Sequence, residues 1–236
     1  TTDATKWTGD TDFIAANDVV LSGYTYAPAG SLVVNANTAS VKQLTTVDTF
    51  NLGNSFKVSG TLVAYSFHTG NHYTQVYAKA GDFKFEISDG LDGEGVRSLF
   101  VKAYMGNEVV YENSWPRENN GHIFRQVNFN ATIDNTAKTV ELDYTTGWAS
   151  APETNTGSGT YTGDYSFDEV TASAAAKNCY YNGANYVNVA VAGLSVTKYE
   201  LITDPVTFTV VSENDTYGTV TRTPAGDVYV GDEITI

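Results

Sequence analysis

The chain has one cysteine, one methionine and five prolines among 236 residues. A lone Cys179 forms no intrachain disulfide, so stability has to come from a packed core or a bound metal, and the redox compartment stays open. Lysine and arginine number 13 against 27 acidic residues, a formal net charge of −14. No run of basic residues exists, which argues against nucleic acid as a partner, since a phosphate-binding domain carries a basic patch. The same deficit argues against an anionic membrane surface. No apolar stretch approaches the ~18 residues needed to cross a bilayer, so membrane insertion is not expected. No secretory leader opens the sequence, which leaves a cytosolic protein or a mature or excised piece of an exported one. Leucine is scarce at 10, and charged residues make up only 17%, less than solvated helical faces demand.

Threonine, by contrast, occurs 32 times and tyrosine 16 times. Both fit a pleated, half-buried surface and are poor helix formers. With 42% hydrophobic residues the chain can bury a core, which excludes global disorder. Acidic, Thr/Asn/Tyr-rich and Cys-poor composition goes with exported bacterial surface proteins, so the expected location is extracellular or the bacterial cell surface.

The pattern is strand after strand. Residues 82–88 place Phe83, Phe85 and Ile87 on one face and Asp82, Lys84 and Glu86 on the other, the period of two that marks a half-buried strand. Residues 56–67, 72–79 and 186–199 predict further strands, with short ones at 18–22 and 31–35. Strands at 97–105 and 108–112 flank Gly106-Asn107, a hairpin turn. Residues 124–133 turn Val127, Phe129, Ala131 and Ile133 inward and Gln126, Asn128 and Asn130 outward. After a turn at 134–136, residues 138–145 turn Val140, Leu142 and Tyr144 inward. The only helix signal is 168–177, where Asp168 is a capping residue and the alanines favour helix. The Gly/Ser/Thr-rich stretch 150–163 reads as a mobile loop. Many short strands without alternating long helices predict an all-β, antiparallel two-sheet sandwich over residues 1–203. Asp204-Pro205 marks a boundary. Residues 204–236 alternate cleanly and are expected to be a partial β-repeat module, with the chain stopping inside it.

Residues 7–200 resemble the concanavalin A-like jelly roll in its laminin-G-like and carbohydrate-binding forms. The resemblance rests on FKVSGTLVAYSF as the long central strand, FNATIDNTAKTVELDYTTG as paired strands with a tight Asp/Asn turn, and YVNVAVAGLSVTKYE as the closing strand. Residues 206–236 resemble the start of an internalin-type B-repeat, through an alternating strand, a Gly-Thr-Val step and VYVGDEITI. Together these imply a monomeric module of a multidomain surface protein. The fold often holds one Ca²⁺, which the resemblance implies without naming its ligands. Asp89, Asp92 and Glu94 crowd oxygen atoms into one short segment, but Asp-Gly is equally a turn signal. His68, His72 and Cys179 do not have the spacing of a zinc site.

Some members of this fold are glycosidases with an E-x-D-x-E strand. Here Glu141 and Asp143 supply the first two acids, and Thr145 stands where the third belongs. A retaining hydrolase needs two carboxyl groups about 5–5.5 Å apart, so the incomplete set predicts no catalysis. Glu141 and Asp143 are then either exposed strand residues or ligand contacts. With Asn128 and Asn130 across the hairpin, they would offer sugar hydroxyls both donors and acceptors. A polar outer face is equally what any sandwich presents to water. Trp7 is expected in the core. Trp115 and Trp148 fall in polar segments, where a wet indole is a candidate platform for a sugar ring; alternatively each loop folds over its own ring. Tyr181, beside Tyr180, is a weaker platform of the same kind. The expected function is noncatalytic binding of a polysaccharide or host glycan, with a structural spacer or protein-binding adhesion domain as the alternative.

Overall fold

The computed structural model describes residues 4–21, 24–34, 40–66, 74–91, 93–116, 123–147, 153–177 and 189–198. The chain divides into two units, Thr1–Tyr199 and Glu200–Ile236. The second unit, and with it the expected repeat module over 204–236, lies outside the described residues.

Among the described residues fifteen strands follow one another: β1 (Trp7–Gly9), β2 (Val19–Leu21), β3 (Tyr24–Ala27), β4 (Leu32–Val34), β5 (Lys42–Thr46), β6 (Ser55–Ser66), β7 (Gln75–Ala80), β8 (Phe83–Leu91), β9 (Arg97–Met105), β10 (Glu108–Pro116), β11 (Ile123–Asp134), β12 (Thr139–Gly147), β13 (Glu153–Thr160), β14 (Ala172–Lys177) and β15 (Val189–Lys198). Seven form one sheet in the order β1-β5-β14-β7-β8-β9-β10, and six form a second in the order β13-β12-β11-β6-β15-β4. Strands β2 and β3 make a separate hairpin. All pairings within the two large sheets are antiparallel. Among the described residues there is no α-helix, and none is long and apolar enough to cross a membrane.

The alternation seen in the sequence sets which face meets the core. Phe83, Phe85 and Ile87 of β8 and Leu99, Val101 and Ala103 of β9 are buried against Val127, Phe129, Ala131, Val140, Leu142 and Tyr144 of β11 and β12. Phe85 and Phe129 stack across the interface with ring centroids 4.3 Å apart. A smaller apolar cluster of Ala27, Val33, Val63 and Ala190 packs against Ala15 and Val19. Gly106, at φ +58°, opens the two-residue connection between β9 and β10, the position that a type II′ turn reserves for glycine. The Asp134 carboxylate accepts from the Thr136 and Ala137 amides, both at 2.9 Å, and so fixes the turn into β12.

Two expectations are corrected. Residues 172–177 are not helical: β14 is a strand inserted between β5 and β7. A short alanine helix is marginal on its own, whereas here both neighbours supply backbone partners. Ala174 and Ala176 face the core, and the small side chains suit a strand covered on both faces. The expected loop at 150–163 contains β13, which pairs with β12 from Thr139↔Thr160 to Thr146↔Glu153. Its glycines serve packing. A Cβ at Gly157 would run into the Tyr111 ring, and one at Gly159 into the Val110 carbonyl oxygen. Glycine in a strand marks such close approach.

Candidate functional site

The structure brings together four of the sequence-predicted residues. Asn130 stands directly opposite Asp143, Asn128 opposite Thr145, and Thr132 opposite Glu141 on the outward face of the six-stranded sheet. Asn128 is held on both sides: Thr61 donates to its Oδ1 at 2.7 Å, and its Nδ2 donates to Thr145 at 3.3 Å. Asn128, Asn130, Glu141 and Asp143 are all exposed.

Trp115 does not join them. It is not in a loop: β10 runs through it, and its alternation with Glu112 turns Tyr111, Asn113 and Trp115 inward. Tyr111 and Asn113 reach the Tyr144 hydroxyl of the opposite sheet at 2.7 and 2.9 Å. Trp115 packs against the core, with the Arg125 guanidinium 5.2 Å from its ring centre. Its apolar ring is spent between the sheets, because burial of so large a surface is favourable. Trp7, on β1, is partly buried against the core as expected. Trp148, Tyr180 and Tyr181 lie outside the described residues, as do Asp92, His68, His72 and Cys179. Asp89 is buried on β8 and Glu94 is exposed. Among the described residues no three His, Cys, Asp or Glu side chains gather closely enough to hold a cation.

A denser polar constellation lies on the outward face of the seven-stranded sheet. Register aligns its side chains in rows across the strands. The central row reads Gln43, Ala175, Tyr77, Glu86, Lys102, Glu112. On one side of it runs Thr45, Ser173, Lys79, Lys84, Tyr104. On the other side runs Lys177, Gln75, Ser88, Phe100, Ser114. With strands ~4.8 Å apart, the central row spans about 24 Å.

Glu86 is the centre of this face. It is 4% exposed, and an unpaired buried carboxylate would be costly. It accepts from Gln75 Nε2 at 2.9 Å and from Lys84 Nζ at 2.7 Å, both on the same oxygen. The Lys84 ammonium lies 3.8 Å from the Tyr104 ring centre and 5.5 Å from that of Tyr77. Burial first, then the Glu86 charge, raises the Tyr77 phenol above its ordinary pKa. Burial first, then the charges of Glu86 and Glu112, push Tyr104 up to about 12. Both phenols are thus held protonated.

One flank is ordered in the same way. The Tyr77 hydroxyl donates to Gln43 Oε1 at 3.1 Å, Gln43 Nε2 donates to Thr45 at 2.9 Å, and Thr45 and Ser173 share a bond of 3.3 Å. On the other flank Lys102 pairs with Glu112 at 2.7 Å. Ser173, Ala175, Glu86 and Phe100 are buried although they point away from the core, so they lie covered by their longer neighbours. Sequence reading missed this face because only the alternation of β8 hinted at it. The pairing of β14 with β5 joins residues more than a hundred positions apart.

No family model matches the chain, and no curated protein matches it. Among solved structures it is similar to winged bean acidic lectin complexed with methyl-alpha-D-galactose, at 11% identity over 84% of this chain and 94% of that one, with a TM-score of 0.50. Lectin II from Ulex europaeus is 10% identical, covering 81% and 91% of the two chains, with a TM-score of 0.46. A legume lectin-like domain from Entamoeba histolytica is 10% identical, covering 83% and 91%, with a TM-score of 0.42. The likeness is one of fold: the chain is the all-β jelly-roll sandwich that the sequence predicts.

Proposed function

We propose that the protein is a noncatalytic carbohydrate-binding module of a secreted or cell-surface protein, and that its sugar site is the outward face of the seven-stranded sheet. The observation that carries this reading is Glu86, buried yet on the outward face and held by an amide and an ammonium. Binding sites combine a concave surface with a few convergent, pre-positioned polar groups. Here those groups sit on central strands, so little ordering is needed on binding. Sugar hydroxyls both donate and accept, and the row Gln43, Tyr77, Glu86 offers both. The winged bean lectin of the same fold was solved with a galactoside, which supports a saccharide as the ligand class.

A second placement is favoured by the Asn130–Asp143 juxtaposition on β11 and β12, with Trp148 and Tyr181 as the rings the sequence adds to it. Its four polar side chains are all exposed, with no buried, pre-positioned group among them, so it ranks second. The incomplete acid set at Glu141 and Asp143 supports binding without turnover.

The test is a pull-down on insoluble polysaccharides followed by calorimetry on the one that binds. Glu86→Gln and Gln43→Ala should each weaken binding by about 10- to 150-fold, the range for losing a charged hydrogen bond, with melting temperature as the folding control. Unchanged affinity in both, with loss in Asn130→Ala, moves the site to β11 and β12. Failure to bind any polysaccharide leaves the spacer or protein-binding reading.

A further inference from the structure

Lys79 of β7 and Lys84 of β8 stand directly opposite each other. Like charges in that position are destabilising. Lys84 is compensated by Glu86 at 2.7 Å. Lys79 has no carboxylate partner among the described residues, although the chain has 27 acidic residues to supply one. Its neighbour on the other side is buried Ser173, whose hydroxyl is already ordered by Thr45. The outward rows as a whole hold Lys79, Lys84, Lys102 and Lys177 against only Glu86 and Glu112. A protein of net charge −14 thus carries a cationic strip along its most ordered face. Summed over such a face, the field concentrates anions.

We infer that the face selects an acidic saccharide, with the carboxylate or sulfate of the sugar seated between Lys79 and Lys84 beside Ser173, and the ring lying along Tyr77 toward Glu86. This rests on the carbohydrate-binding reading above and names its ligand class. The lysine pair supplies the charge, and the Gln43–Tyr77–Glu86 row supplies the hydroxyl contacts. A bound anion relieves the Lys79–Lys84 repulsion, so an acidic sugar gains where a neutral one does not.

The experiment uses the full chain and five polymers: polygalacturonate, dextran sulfate, dextran, a neutral galactan and poly-glutamate. Calorimetry at low salt should show binding to polygalacturonate or dextran sulfate at least about tenfold tighter than to the neutral pair, weakening as salt screens the contact. Which acidic polymer binds identifies the anion. Lys79→Gln should lose about tenfold on the acidic polymer, and Lys79→Arg should retain most of it. Equal binding of neutral and acidic polymers, insensitive to Lys79→Gln, overturns the inference but leaves the carbohydrate reading standing. Equal binding of poly-glutamate reduces the face to a charge trap and overturns the saccharide claim. Acidic binding that survives Lys79→Gln places the anion elsewhere and also overturns it. No binding to any of the polymers overturns the inference, and the carbohydrate reading then rests on the pull-down above.

Discussion

The Tyr77 hydroxyl reaches Gln43 across β14, and the residue beneath their hydrogen bond is Ala175, which is 0% exposed. The two longer side chains close over the shorter one. Only a residue as small as alanine leaves room for that closure, so β14 must read Ala-Ser-Ala-Ala-Ala to serve both faces of the sheet.

Ala175→Val should therefore break the Tyr77–Gln43 bond and overpack the face. The expected loss of stability is about 1–3 kcal/mol, read from the urea midpoint at constant slope. Ala175→Gly serves as a control that keeps the space. An unchanged midpoint in Ala175→Val would show that the face is open above this position.

Gly159 makes a similar demand from the other sheet. Gly159→Ala places a methyl against the Val110 carbonyl, backbone that cannot swing aside. We expect β13 to be displaced, seen as faster amide exchange at 153–160 and a lower melting temperature. Gly93→Ala, at a position with nothing near its Cβ, should leave both unchanged.

Phe129→Ala removes one half of the stacked pair with Phe85. Truncation of a buried phenylalanine costs about 3–5 kcal/mol. Phe85→Ala should cost a similar amount, and the double variant less than the sum, since the two rings share one contact. Strict additivity, measured by denaturant unfolding, would show that the sheets are not joined through this pair.

Alkaline stability tests the tyrosines. Tyr104 and Tyr161 are each pushed up to about 12 and Tyr77 is raised, burial being the first cause in all three. The unfolded phenols ionise near pH 10. Above that pH the unfolded state loses protons while the folded state keeps them, so stability falls with pH. It should be level from pH 7 to 9 and decline between about 10 and 12. Tyr104→Phe should shallow that decline; an unaltered slope would show that this phenol titrates freely.

How much of this was legible in the sequence depended on the range of the signal. Strands β8, β11 and β12 carry their own alternation, so their inward faces were readable residue by residue, and with them the sandwich and the polar row of Asn128, Asn130, Glu141 and Asp143. Strand β14 was misread because alanine's local preference is helical, while the partners that make it a strand lie in β5 and β7. Strand β13 was misread because its glycines look like loop residues until Tyr111 and Val110 are placed above them. Trp115 was taken for a loop residue because ENSWPRENNGH is polar, whereas the hairpin from Gly106 runs as far as Pro116. The Glu86 face needed the register of six strands at once, and no window of sequence contains that.

The glycines of β13 have one more consequence. Among the described residues β13 and β10 are the last strands of their respective sheets, and each has a row of backbone donors and acceptors that no described strand uses. Exposed rows of this kind recruit strands from other chains. Because Gly157 and Gly159 let β13 settle against Tyr111 and Val110, the two rims shelter each other. The register slip between Val109 and Tyr111 further spoils β10 as a template. At the opposite rims, β1 and β4 are three residues long, too short to seed a ladder. The sandwich is thereby protected against edge-to-edge aggregation, and Gly159→Ala should unmask it: a slow, concentration-dependent rise in light scattering at temperatures where the parent chain stays clear.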